Sequence, residues 1–193
     1  MIFNPSLLAV LAPILGTICF LSEVFLAIYK RSGSHSKNRD QGSMRIVWLA
    51  ALCSVPLGRL ARVTVPQAQS DILIQLAAAA VAIFAIGMIL RWVSIIYLGR
   101  FFTVDVAIAA GHQVVDTGPY RLLRHPSYTG LLLMFLGTGI ASGNILTLLI
   151  FVLLPAMALL YRIGIEEAAL SDALGPQYLS YMNKTKRLIP FVY

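Results

Sequence analysis

The feature that most limits what this chain can become is its first apolar run, Ser6 to Tyr29, 24 residues whose only charge is Glu23. At about 1.5 Å per residue such a run crosses roughly 30 Å of hydrocarbon as a helix. It is not alone. Ile46 to Val65 reads as a second span, interrupted by Pro56, and Ile72 to Leu98 as a third and longer one. Ser127 to Ala141 is an apolar helix of marginal length, Ser142-Gly143-Asn144 a tight turn, and Ile145 to Arg162 the return helix, bent at Pro155. The expectation is an all-α integral membrane protein with about five transmembrane helices, the last two forming a helical hairpin. Mean hydropathy of +0.82 and 12% charged residues place the chain far from soluble domains, in which about a quarter of residues are charged.

The polar segments carry the orientation. Lysine and arginine number five in Lys30 to Arg45, two near the end of the second span, three in Arg100 to Pro126 and four from Arg162 onward, with none in the hairpin turn. Alternate segments therefore carry twelve and two, and the positive-inside rule puts the N-terminus outside and the long loops and tail in the cytoplasm. The net charge of +7 is spread between apolar blocks instead of forming one stripe, which argues against nucleic acid as a partner. No cleavable signal is expected, because the first apolar run is too long and lacks a basic start. Cys19 and Cys53 lie within apolar runs and read as buried hydrophobes. His35 reads as a solvated loop residue. Arg91 lies inside a span and needs a partner, and Glu23 is the acid in another span at a matching depth, so a Glu23–Arg91 pair is expected.

Between the third span and the hairpin lies GHQVVDTGPYRLLRHPSYTG, Gly111 to Gly130, with two histidines, two tyrosines, Arg121 and Arg124. So many donors, acceptors and rings in an otherwise apolar chain mark a binding loop, preceded by Arg100 to Ala110 along the interface. Glu166-Glu167, just past the last span, returns to the same cytoplasmic face in a tail expected to stay helical past Leu174. Arg162 and Glu166, four apart on a helix, share a face. A solvated surface ion pair is the competing reading for them, and a snorkelling span end for Arg162. A metal pair at His112 and His125 is disfavoured, since no Cys or third His joins them. No GxGxxG fingerprint follows a strand, which excludes a Rossmann-type cofactor domain.

Arg124-His125-Pro126-Ser127-Tyr128-Thr129-Gly130, followed by an apolar hairpin and Glu166-Glu167, resembles the isoprenylcysteine carboxyl methyltransferase family, within a superfamily shared with phospholipid N-methyltransferases. Gly118, Tyr120, Gly175, Tyr178, Tyr181 and Pro190 fit the same pattern. The resemblance covers the segment from Gly111 to the end, and the chain's length resembles the compact prokaryotic relatives. It implies one membrane methyltransferase unit over 1–193, with spans in 1–98 and a cofactor-binding loop, hairpin and tail in 99–193. It implies S-adenosylmethionine as cofactor, held by His112, Val115, Gly118, Tyr120, Arg124, His125, Tyr128, Glu166 and Glu167, with Arg162, Glu166 and Glu167 as catalytic candidates and no metal. Tyr120 and Tyr128 would face adenine or the sulfonium cation. The implied acceptor is the carboxylate of a prenylated cysteine, drawn from the bilayer and gripped by the two-pronged guanidinium of Arg162. Alternatives are an amine or phospholipid N-methyltransferase, a sterol-reductase-like NADPH enzyme, and a non-catalytic lipid-binding membrane protein.

Overall fold

The computed structural model describes residues 5–29, 37–38, 40–108, 111–190 and 192, with side chains described from residue 14 onward apart from 37, 38 and 107. His35 and most of the first polar loop lie outside the described residues. The helices are α1 (Pro5–Tyr29), α2 (Ser43–Thr64), α3 (Asp71–Gln75), α4 (Ala77–Leu98), α5 (Pro126–Ala141), α6 (Ile145–Leu174) and α7 (Pro176–Lys184). The protein is an all-α integral membrane protein. Among the described residues, three helical stretches are long and apolar enough to cross a membrane: α2, Ala77–Phe101 and α6. Ile14–Tyr29 of α1 and α5 are shorter apolar stretches. The only pairing of strands among the described residues is a two-residue antiparallel contact, Lys37–Asn38 with Ala107–Ile108, which ties the first loop to the segment after α4.

Two boundaries differ from the sequence reading. The third apolar run is not one helix: it breaks at Leu76, whose ψ of 6° lies outside the helical range. The reason is tertiary. Ser70 N–H donates to the Gly143 carbonyl at 2.9 Å, so the short α3 is pinned to the turn of the α5–α6 hairpin. The return helix and the helical tail expected beyond it are one element as far as Leu174, 30 residues with Pro155 inside it. It ends at Gly175, whose φ of +56° a side chain would resist, and α7 restarts at Pro176, a residue suited to a first helical turn. The helix expected to run on past Leu174 is therefore two helices with a corner between them.

Backbones approach closely where α4 meets α5. A Cβ on Gly87 would lie 2.6 Å from the Gly130 carbonyl oxygen, and one on Gly130 would lie 2.7 Å from the Arg91 amide nitrogen. This small-residue contact is a packing device of membrane helices. It also brings the start of α5 against Arg91. On the other side, α2 and α6 pack through Val47, Ala50, Ala158 and Leu159.

The expected intramembrane ion pair is present. Arg91 Nη2 donates to Glu23 Oε2 at 2.6 Å, Nε donates to the other carboxylate oxygen, and Nη1 reaches Ser127 Oγ at 3.0 Å. Both side chains are largely buried, and one charge without the other would be costly in hydrocarbon. Glu23→Ala is therefore expected to destabilise the protein by about 3–5 kcal/mol, and Glu23→Gln by less, because the amide oxygen still accepts from Arg91. Denaturant titration of the two variants in detergent checks the order.

Candidate active site

The site forms where the loop before α5, the end of α6 and the C-terminal tail converge. Arg124 N–H donates to the Lys186 carbonyl at 2.7 Å, His125 N–H to the Arg187 carbonyl at 3.1 Å, and Lys186 N–H to the Leu122 carbonyl at 3.2 Å. Glu167 sits at the centre of this clasp. It accepts from Arg124 Nε at 2.8 Å and from Arg187 Nε at 3.0 Å, and it pairs with His125 Nε2 at 3.3 Å. Arg124 Nη1 donates onward to the Met182 and Thr185 carbonyls. Thr129 Oγ1 donates to the Leu188 carbonyl at 2.8 Å, and Tyr181 OH to the Tyr120 carbonyl at 2.7 Å.

Two cavities meet behind the clasp. The first, about 90 Å³, has polar and aromatic walls that include His112, Val115, Tyr120, Arg124, His125 and Glu166. The second, about 290 Å³, is apolar and lies between α1, α2, α4, α5 and α6, with Glu23 and Arg91 among its lining residues. Tyr128 and Arg162 line both, and so form the wall between them. A small third void of about 20 Å³ touches the same two side chains together with Glu23 and Arg91.

The wall is a hydrogen-bonded chain. Arg162 Nε donates to Tyr128 OH at 2.8 Å, and that hydroxyl donates to Glu166 Oε2 at 2.7 Å. The His125 ring stacks on Tyr128 with centroids 5.5 Å apart and planes 11° from parallel. Arg162 is 3% exposed, and its other donors reach Asp40 Oδ1, Ser43 Oγ and the Val104 carbonyl. Of a guanidinium's five N–H groups, only one on Nη2 is left over. The two-pronged grip that the sequence suggested for Arg162 is thus already taken up by protein partners.

Glu166 and Glu167, adjacent in sequence, point to different places. Glu166 lines the polar cavity, whereas Glu167 is buried in the clasp and does not line it. Gly118 does not line it either. Its φ is +56°, and a Cβ there would lie 2.4 Å from Tyr97 Cε1, so it lets the loop lie flat on Tyr97. Of the sequence candidates, then, His112, Val115, Tyr120, Arg124, His125, Tyr128, Arg162 and Glu166 come together around one cavity, and Gly118 and Glu167 stand behind it.

The electrostatics favour a neutral, hydrogen-bonding His112. Burial lowers its imidazole below the ordinary value, and Glu166 opposes this only in part. Its ring lies against Phe101 at 4.7 Å, and its buried Nδ1 has no hydrogen-bond partner among the described residues. Burial raises the Tyr120 phenol, whose OH donates to the Ser94 carbonyl at 3.3 Å. Among the described residues, no group of three His, Cys, Asp or Glu side chains comes together as a metal set would require.

Sequence reasoning missed Asp40. Its carboxylate accepts from Ser43 Oγ at 2.9 Å, the Met44 amide at 3.2 Å and the Val106 amide at 3.3 Å, and it faces Arg162. Burial would raise this carboxyl, but the Met44 amide and the Arg162 guanidinium hold it below its ordinary value. The available signal was an acid just ahead of a helix start at Gly42-Ser43, which is a capping position. Arg187, the third partner of Glu167, was also missed, because nothing in the tail's spacing distinguishes it from Lys184 and Lys186.

Similarity to known proteins bears on the same residues. The profile of the isoprenylcysteine carboxyl methyltransferase (ICMT) family matches residues 80–172. The match covers just under half of the chain. It runs from α4 through most of α6, and so contains Arg91, the Arg124–Gly130 motif, Arg162, Glu166 and Glu167, but not Glu23, Asp40 or the tail's Arg187. Protein-S-isoprenylcysteine O-methyltransferase A of Arabidopsis thaliana is 36% identical over 109 residues, 55% of each chain. The corresponding protein of Schizosaccharomyces pombe is 33% identical over 115 residues, 58% of this chain and 49% of its own. The chain spans about half the length of the curated relatives it matches. Among solved structures, that of the eukaryotic intramembrane Ras methyltransferase ICMT superposes with a TM-score of 0.62 at 28% identity, covering 75% of this chain and 52% of that one.

Proposed function

We propose that the chain transfers a methyl group from S-adenosylmethionine to the carboxylate of a prenylated cysteine, or of a similar lipid-like acceptor, at the cytoplasmic face of the membrane. The observation that carries this reading is the pair of unlike cavities sharing the Tyr128–Arg162 wall. A water-soluble cation suits the polar one, and an isoprenoid tail suits the one between the spans. The positive-inside count supports placing the polar side in the cytoplasm.

The residues fit S-adenosylmethionine on one specific ground: the buried Nδ1 of His112, without a partner among the described residues, in an aromatic, carboxylate-bearing cavity. A buried polar atom without a partner is costly unless a ligand satisfies it. His112, Val115, Tyr120, Arg124, His125, Tyr128 and Glu166 would hold the cofactor, with Gly118 and Glu167 shaping the loop and tail around it. Bound there, it supplies an electrophilic methyl group on a sulfonium. Tyr120 and Tyr128 offer aromatic faces to positive charge, and Glu166 offers a carboxylate. Arg162 keeps Tyr128 turned towards Glu166 and presents its remaining N–H and its charge to the acceptor carboxylate. That carboxylate is ionised near neutral pH, so catalysis consists of positioning and desolvation, with no proton to remove.

The test is a pH profile at saturating cofactor. With a small prenylcysteine the rate is expected to stay flat between about pH 6 and 8, because the acceptor loses its proton well below that window. An amine headgroup, protonated there, would give a rate that climbs with pH. Burial lowers the His112 imidazole below its ordinary value, so that ring is neutral towards the alkaline side of the window. A prenylcysteine left unmethylated, beside an amine lipid that turns over, rules out the carboxylate reading.

A further inference from the structure

The apolar cavity has a floor as well as a mouth. Its charged and phenolic lining, Glu23, Arg91, Tyr128 and Arg162, lies at one end. From that end the lining follows α2 from Met44 to Val55, α5 from Tyr128 to Thr138, and α6 from Arg162 back to Phe151. Each path is ten or eleven helical residues, about 15 Å at 1.5 Å per residue. Three helices, two running away from the charged end and one towards it, thus give one depth, and no described residue beyond these ends lines the cavity. By carbon–carbon bond lengths, that depth matches about three isoprene units laid end to end.

What closes the far end is held in place. Phe151 faces Phe135 across the floor, ring centroids 6.4 Å apart. Behind it stands Gly58 of α2, where a Cβ would lie 2.8 Å from Phe151 Cε2 and 3.0 Å from Thr147 Cγ2. Thr147 Oγ1 donates to the Gly58 carbonyl at 3.0 Å, which fixes the spacing of α2 and α6 at that level. The ring fills the room the missing side chain leaves and cannot retreat further towards α2.

We propose that Phe151, seated on Gly58, is the stop that measures the acceptor's tail, and that the cavity selects a fifteen-carbon farnesyl chain over a twenty-carbon geranylgeranyl one. The inference rests on the proposed reaction and adds to it the residue that sets tail length. Widening the floor admits the next isoprene unit, and raising it rejects the third.

The experiment is steady-state methylation by the full chain in nanodiscs, using N-acetyl-S-prenylcysteines with ten-, fifteen- and twenty-carbon tails. Phe151→Ala is expected to raise the geranylgeranyl-to-farnesyl ratio of kcat/KM by about tenfold, the scale on which apolar pockets discriminate. Gly58→Ala, which drives the ring into the cavity, is expected to move the optimum the opposite way, towards the ten-carbon tail. S-adenosylhomocysteine binding by each variant reports that it is folded. Ratios unchanged in both folded variants overturn the proposal and mean that the tail leaves the cavity sideways, while the reaction still stands. Failure of the wild type to methylate any of the three overturns the acceptor reading, and this inference with it.

Discussion

Arg162→Lys is expected to lower turnover of a prenylcysteine by about 100-fold, the loss that a misplacement of about 1 Å can cause. S-adenosylhomocysteine affinity is expected to stay within a few-fold of wild type. The guanidinium binds Tyr128, Asp40, Ser43 and Val104 at once from a planar fork. An ammonium has three donors on one atom and cannot reach partners arranged around a plane. With Nε gone, nothing orders the lone pairs of the Tyr128 hydroxyl, so its proton is no longer committed to Glu166. The wall between the two cavities then loses its fixed shape at the point where donor and acceptor would meet. Steady-state kinetics beside calorimetry separates the two effects, and a lysine variant with unimpaired turnover removes Arg162 from the mechanism.

Glu167→Ala is expected to weaken S-adenosylhomocysteine binding by a similar factor, for a different reason. Glu167 does not line the cavity, yet it neutralises Arg124 and Arg187 and orients His125. Removing one member of a buried charge cluster leaves the others uncompensated, typically at about 3–5 kcal/mol. Here the relief is for the tail to let go, because Arg187 is the one partner partly in solvent. Tyr178 and Tyr181, which line the polar cavity, leave with it. Trypsin cleavage after Lys184, Lys186 and Arg187 should accelerate in parallel with the lost affinity. Weak binding with an uncut tail would mean that Glu167 touches the cofactor itself.

Much of this architecture was legible because hydrocarbon is an unforgiving solvent. A run such as Ser6 to Tyr29 has few alternatives to a helix, and two lone charges at equal depth in neighbouring spans, Glu23 and Arg91, have few alternatives to each other. The loop was legible from its density of polar and aromatic groups in an apolar chain. What could not be read was direction at short range. Glu166 and Glu167 sit about 100° apart on one helix, so one must face the cavity and the other the tail, but only the fold of the tail decides which. The break at Leu76 escaped for a related reason, since Ser70 takes its partner, Gly143, from the far side of the sequence. Asp40 was passed over because its loop reads as solvated, and only the return of α6 brings Arg162 to it.

The clasp that closes the site includes a set of main-chain bonds. Arg124 and His125 donate from their amides to the Lys186 and Arg187 carbonyls, and Lys186 returns the bond to Leu122. Leu122 and Lys186 are themselves exposed. A contact built this way is indifferent to which side chains stand at those two positions but strict about how many residues separate them from the corner at Gly175. Related chains are therefore free to drift in composition at Leu122, Lys184 and Lys186. A single inserted or deleted residue between Gly175 and Lys186 shifts every carbonyl out of step with its amide, pulling Arg187 away from Glu167 and Leu188 away from Thr129. In this tail, length is under tighter constraint than spelling.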